Sequence, residues 1–167
     1  MKNVLLVADV SNLYITTRKK HGDDAKVSFV SLMEYAKELG HVNEGLAFGS
    51  IVSNSYKPFG DFLRNHGYKV CFKQAKKVGG VHRKAGYVAD LVVKVMSRQF
   101  DILVLATSDA DYAPLVEHLV EAGKSVVVIG SGVSAALKQV ATESVEIPQS
   151  FLHKDQDSGT AQNATGG

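Results

Sequence analysis

The sequence predicts an α/β domain with a mostly parallel central sheet covered by helices on both faces. Short apolar runs, such as residues 4–8 and 102–106, alternate with amphipathic stretches such as residues 29–39. This alternation is typical of strands that are buried on both faces and joined by helices. The length of 167 residues fits one domain.

The first half of the chain predicts three strands and two helices. Ser28 can cap a helix whose apolar residues recur at helical spacing from Phe29 to Leu39 and which ends at Gly40. A second helix is predicted from residue 58 to residue 66, where Gly67 ends it. The predicted strands are residues 4–8, 46–52 and 68–72.

The second half continues the alternation. Helices are predicted over residues 87–98, 111–122 and 134–140, and strands over residues 102–106, 125–129 and 144–147. The chain turns polar from residue 149 onward and cannot bury much apolar surface there. We therefore expect a domain over residues 1–148 and a disordered tail over residues 149–167.

Composition excludes several classes of protein. Apolar residues make up 45% and charged residues 22% of the chain, and the formal net charge is +2, which excludes wholesale disorder, collagen and a coiled coil. No apolar run approaches the roughly 20 residues that span a bilayer. The one cysteine, Cys71, cannot form an internal disulfide, and no signal peptide is recognisable. We expect a cytoplasmic protein without membrane partners.

Acidic and amide side chains follow two strands that we expect to be neighbours. Asp9 ends the first predicted strand and Asn12 follows it, whereas Asp109 and Asp111 follow the fourth. Asp90 lies in the first turns of the helix over residues 87–98. Ligands of open α/β sheets bind outside the carboxyl ends of the strands, so we expect these residues to converge on one crevice.

Carboxylates held this close need a compensating cation. A ligand set of oxygen atoms suits Mg²⁺ or Mn²⁺, and such an ion supports hydrolysis of phosphodiester bonds. We predict metal ligation by Asp9, Asp90, Asp109 and Asp111. The alternative for Asp109 and Asp111 is that they only cap the following helix; an acid directly after an apolar strand, such as Asp9, is harder to explain that way.

A basic, glycine-containing loop precedes the helix that carries Asp90. Its cations suit a nucleic-acid backbone, whose phosphates they would bind; a solvated loop without function is the alternative. Tyrosines could stack on bases, although buried core tyrosines are equally compatible. The predicted phosphate-binding residues are Lys76, Lys77, Arg83 and Lys84, and the tyrosines are Tyr14, Tyr87 and Tyr112.

Several ordered motifs resemble the NYN domain family of the PIN-like nuclease superfamily. They are the segments 9–13, 84–90, 107–112, 114–116 and 123–130, so the resemblance covers about residues 1–147. It implies a PIN-like three-layer sandwich and a metal-dependent endoribonuclease acting on RNA. The family's site residues correspond here to Asp9, Asn12, Asp90, Asp109 and Asp111.

Three positions depart from the family pattern. Ser108 stands where a glycine is frequent, Tyr112 where phenylalanine is frequent, and the region after Asp90 offers Lys94 and Met96 instead of a further acid. Ser108, together with Ser11 in the first motif, is expected to contact substrate.

Two other functions stay open. One is a non-catalytic RNA-binding or regulatory module on the same fold. The other is a phosphotransfer receiver or phosphatase, which would need a lysine directly after a strand in a place where none is predicted. A homodimer is compatible with the sequence.

Overall fold

The computed structural model describes residues 1–52, 56–83 and 86–152, with the backbone alone at positions 77, 78, 82 and 83. Strands and helices alternate along most of this part, as the sequence predicts. In chain order they are β1 (Asn3–Asp9), α1 (Val10–His21), α2 (Phe29–Leu39), β2 (His41–Ile51), α3 (Lys57–Asn65), β3 (Tyr68–Gln74), β4 (Lys76–Val78), β5 (Val81–Arg83), α4 (Val88–Met96), β6 (Ile102–Ala106), α5 (Ala113–Glu121), β7 (Ser125–Gly130), α6 (Ala135–Val140) and β8 (Glu143–Glu146).

Six strands form one parallel sheet in the order β3-β2-β1-β6-β7-β8. The chain runs outward from β1 to β3, crosses over, and runs outward again from β6 to β8. The strand order therefore reverses between β1 and β6, which is where open α/β sheets place their ligand crevice. The predicted pairing of these two strands is confirmed, with Val4 opposite Ile102 and Ala8 opposite Ala106.

Two buried layers of side chains cover the two faces of the sheet. On one face α1, α2 and α3 pack against side chains such as Leu6 and Ala47, and on the other α4, α5 and α6 pack against Val7 and Leu103. Alternate residues of β1 thus enter different cores, because successive side chains of a strand point to opposite faces. The predicted three-layer α/β sandwich is confirmed. No helix of the described residues is long and apolar enough to cross a membrane.

The segment after β1 corrects one prediction. No helix is predicted there, but residues Val10–His21 form α1. Asp9 is the N-cap and accepts the backbone N–H of Asn12 at 3.2 Å. The last turn holds four basic residues, which complement the carboxyl end of the helix dipole.

The predicted basic loop is instead a hairpin. β4 and β5 pair antiparallel, with Val78 opposite Val81. The two residues between them, Gly79 and Gly80, have φ values of 58° and 80°. Left-handed backbone at both turn positions is typical of a two-residue hairpin turn, and glycine adopts it without strain.

Ordered packing also continues beyond the predicted boundary at residue 148. Leu152 is buried and bridges to Val27, and the carbonyl of Phe151 accepts the N–H of Ser28 at 2.7 Å. The predicted tail therefore begins with residues that pack on the domain. Residues 153–167 lie outside the described part.

Candidate functional site

Asp9 lies at the carboxyl end of β1, fully buried, and both of its carboxylate oxygens accept hydrogen bonds. Oδ1 accepts the N–H of Asn12 at 3.2 Å and the hydroxyl of Tyr87 at 2.6 Å. Oδ2 accepts the hydroxyls of Tyr112 at 3.1 Å and of Thr107 at 3.3 Å. Burial raises the pKa of the Asp9 carboxyl, and the hydrogen bonds offset only part of that increase.

The two tyrosines reach Asp9 from different elements. Tyr87 is the N-cap residue of α4, and Tyr112 ends a single 3₁₀ turn over Ala110–Tyr112 that precedes α5. Burial, followed by the nearby charge of Asp9, raises the pKa of both hydroxyls, so both stay protonated and donate. They are buried tyrosines rather than exposed stacking platforms. Tyr14 lies elsewhere, where its hydroxyl accepts the guanidinium of Arg18 at 2.7 Å.

Asn12 connects the ends of β1 and β6. Its Oδ1 accepts the N–H of Ser108 at 2.8 Å and lies 3.2 Å from the hydroxyl of Thr107, which shares its one proton between this oxygen and Oδ2 of Asp9. These bonds fix the orientation of the amide, and Nδ2 has no hydrogen-bond partner among the residues that the structure describes. Gly130 permits this arrangement, because a methyl group there would lie 2.6 Å from the carbonyl oxygen of Thr107.

Asp109 and Asp111 differ from Asp9 in how open they are. Asp109 is half-buried and Asp111 is exposed. Oδ1 of Asp109 accepts the N–H of Asp111 at 2.9 Å and caps the 3₁₀ turn, so the capping alternative applies to that oxygen. The charge of Asp109 contributes to the raised pKa of Tyr87 and Tyr112, which places it beside the Asp9 network. Neither acid forms an ion pair within the described part of the chain.

Asp90 has a different partner from the one expected. It is exposed in the first turn of α4, and its Oδ2 lies 2.9 Å from Nζ of Lys73 at the end of β3. Across residues 1–52, 56–83 and 86–152, no three His, Cys, Asp or Glu side chains are arranged to hold a metal ion. The structure therefore gathers Asp9, Asn12 and Asp109 but pairs Asp90 with a lysine.

The donor set fits one kind of metal site better than another. Asp9 fits poorly as a direct ligand, because two protein donors already occupy each of its oxygens. Among the described residues, Asp109 and Asp111 keep carboxylate oxygens that accept no hydrogen bond, and no cation pairs with either acid. Mg²⁺ commonly binds one or two carboxylates and keeps several waters. The residues present fit such a hydrated ion rather than a cage of four aspartates.

The predicted substrate-binding serines are interior. Ser11 is fully buried, where its Oγ accepts the N–H of Ser50 at 2.9 Å and hydrogen-bonds Tyr87. Ser108 is 7% exposed and donates its hydroxyl to the carbonyl of Ser131 at 2.7 Å. Because both are interior, neither is placed to contact substrate directly; they support the residues that line the crevice.

Of the predicted basic residues, Lys76 is exposed on β4. Lys77 and Arg83 lie in the hairpin, where the structure describes only their backbone, and Lys84 lies outside the described residues.

Sequence reasoning missed the roles of four side chains in this region. Tyr87 and Tyr112 were considered only for stacking or core packing, and Thr107 and Lys73 were given no role at the acidic crevice. Thr107 directly follows β6 within one of the motifs, so its location beside the crevice could have been predicted from the sequence. The pairing of Lys73 with Asp90 had no local signal in the sequence.

Comparisons with known proteins agree with this fold. A family model described as the NYN domain matches residues 3–148. The fold is similar to the crystal structure of a protein of unknown function from Vibrio parahaemolyticus, with a TM-score of 0.78 and 24% identity over 90% of this chain and 96% of that chain. At that identity the likeness establishes the fold alone. The sequence matches no curated protein.

Proposed function

Because the chain belongs to the NYN domain family, part of the PIN-like nuclease superfamily, we propose that it is a metal-dependent endoribonuclease that hydrolyses phosphodiester bonds of RNA. One observation carries the proposal. Asp109 and Asp111 present open carboxylate oxygens beside the buried Asp9 network, at the point where the strand order reverses. Carboxylates that pair with no described cation can bind a divalent metal ion, whose remaining coordination positions are taken by water and a substrate phosphate.

The residues divide the work in this proposal. Asp109 and Asp111 hold Mg²⁺ or Mn²⁺, which supplies activation of water and neutralisation of phosphate charge. Asn12 donates Nδ2, which has no partner among the described residues, to a phosphate oxygen, because its Oδ1 already accepts the N–H of Ser108. Asp9 keeps Asn12, Tyr87 and Thr107 in place. Asp90 joins the ligands if Lys73 releases it.

The basic hairpin is proposed to bind the RNA backbone. Lys76 and Lys77 on β4 and Arg83 on β5, with Lys84 following, precede the helix that begins beside Asp9. Cations there add salt-dependent affinity and leave the chemical step to the acidic crevice. A cytoplasmic location and a homodimer stay predictions.

The test compares cleavage of labelled RNA by the wild-type protein and by Asp109→Asn, with Mg²⁺, with Mn²⁺ and with EDTA. We expect the variant to lose about 100-fold or more in kcat, since it removes one charge from the proposed ligands. Asp61→Asn is the matched control, because Asp61 is an exposed carboxylate of α3 that pairs with Arg64 on the same helix. Undiminished cleavage by Asp109→Asn, or equal cleavage in EDTA, would contradict the proposal.

A specific observation favours the non-catalytic alternative. Asp90 is paired with Lys73, and among the described residues no three acids are grouped so that they could share an ion. A module of this kind would bind RNA and release no products in either metal. The same assay therefore separates the two functions, since bound but intact RNA supports the module.

A further inference from the structure

A groove of about 510 Å³ lies between α4 and the edge strand β3, on the face of the sheet that α4 covers only in part. Its floor and walls come from Phe48, Cys71, Phe72 and Val93, and Lys73 and Lys94 stand among its lining residues. The groove has no role in the site described above, although Asp90 belongs to both.

The strand register places this groove close to the acidic crevice. Asp9 lies opposite Phe48, and Phe48 lies opposite Cys71. The three residues form one row across neighbouring strands, and strands lie about 4.8 Å apart. Cys71 is therefore on the order of 10 Å from Asp9, two strand spacings away. A strand of nucleic acid whose phosphate occupies the crevice can reach the groove with an adjacent nucleotide.

The groove is apolar and bordered by lysines, two of which form no ion pair among the described residues. Val93 is 66% exposed and Met96, one turn further along α4, is 49% exposed. Arg98 pairs with Glu44 and Lys73 with Asp90. Lys69 and Lys94, whose charges act on the Cys71 thiol, form no ion pair within the described residues. Apolar surface bordered by such cations is complementary to a base with its phosphate.

We propose that this groove binds a base of single-stranded RNA next to the nucleotide that is cleaved, with Val93 against the base and Lys94 at its phosphate. The inference rests on the proposed ribonuclease function and deepens it. A base can enter only when it is unstacked, so the groove selects single strands over duplexes. Because Asp90 lines the groove, the groove would form an RNA-binding subsite next to the acidic crevice.

Cys71 offers a direct probe of the groove, because it is the one cysteine of the chain. Its alkylation by N-ethylmaleimide is followed by mass spectrometry in EDTA at alkaline pH, since burial raises the pKa of the thiol. We expect a short single-stranded RNA at saturating concentration to slow alkylation about tenfold, and a duplex of the same sequence to do so far less.

Val93→Glu supplies the matching variant. It is expected to weaken RNA binding, measured by fluorescence anisotropy, about tenfold. Ile15→Glu is its control, because Ile15 is an exposed apolar residue of α1 on the other face of the sheet. Both sites are at the surface, so neither substitution disturbs the core.

The outcomes separate the groove from the function on which it rests. RNA that is bound or cleaved while Cys71 alkylates at an unchanged rate overturns the subsite and leaves the nuclease standing. Protection that grows with protein concentration in the absence of RNA also overturns it, in favour of a second copy of the chain. RNA that is neither bound nor cleaved overturns both proposals.

Discussion

Two carboxylates follow neighbouring strands of one parallel sheet and end in opposite states. Asp9, at the end of β1, is buried, and both of its oxygens accept hydrogen bonds from protein donors. One oxygen of Asp109, after β6, caps a turn, and the other accepts no hydrogen bond among the described residues. The fold brings acids to the carboxyl edge, but the donors around each acid decide what it can do. A filled carboxylate organises its neighbours, and an open one can take a cation.

The largest expected effect that tests this difference between Asp9 and Asp109 is on stability. Asp9→Ala leaves the hydroxyls of Tyr87 and Tyr112 without their acceptor in a buried site, whereas Thr107 keeps Oδ1 of Asn12 as an acceptor. We expect it to lower the free energy of unfolding by roughly 3 kcal/mol or more, because each unsatisfied buried donor costs about 1–3 kcal/mol. Urea denaturation measures the loss.

Asp109→Ala is the comparison variant. Loss of one capping hydrogen bond costs about 0.5–1 kcal/mol, so its unfolding midpoint should stay near that of the wild type. Equal destabilisation by the two variants would mean that Asp9 and Asp109 do not divide into an organising and an open carboxylate.

A second, smaller effect tests one donor at a time. Tyr112→Phe removes the hydroxyl that lies 3.1 Å from Oδ2 of Asp9 and keeps the buried ring. We expect a loss of about 1.5 kcal/mol, the lower range for a hydrogen bond to a charged group. The double variant with Asp9→Ala should lose less than the sum of the single losses. Additive losses would show that the bond contributes nothing.

The smallest effect is a dependence on pH. Burial raises the pKa of Asp9 above its ordinary value of 3.8, so the folded state binds more protons than the unfolded state just above that pH. Stability should therefore fall as the pH rises from 3.8 to the folded pKa, by no more than about 1.4 kcal/mol per pH unit for one proton. Urea denaturation of the wild type and of Asp9→Asn at several pH values gives the free energy of unfolding of each. The difference between the two free energies should fall with rising pH over this range. A difference that is flat with pH would contradict a raised pKa.

Most of the sheet and its helices could be predicted from local patterns. The strand over residues 102–106 has the predicted bounds, and the capping of α2 by Ser28 is as expected. These elements carry either a continuous apolar run or a clear helical spacing beside a capping residue. The convergence of Asp9, Asn12 and Asp109 followed from the topology of the parallel sheet.

The elements that were missed have weaker or longer-range signals. Only Val10, Ser11, Leu13 and Thr17 of α1 are buried, so its apolar stripe is short. The hairpin signal of Gly79 and Gly80 between two valines was present and was not used. The partners of Asp9 and of Asp90 lie far along the chain, and which donor fills which oxygen depends on side-chain packing that local patterns do not encode.

The hydrogen bonds of Asp9 have a consequence for the growing polypeptide. Its hydroxyl donors at positions 87, 107 and 112 follow it by 78, 98 and 103 residues. At translation rates of about 5–20 residues per second, these donors emerge roughly 5–20 s after Asp9. Until then β1 lacks β6, and the acid has no settled environment. A nascent chain that has not yet emerged as far as residue 112 therefore has no acidic crevice.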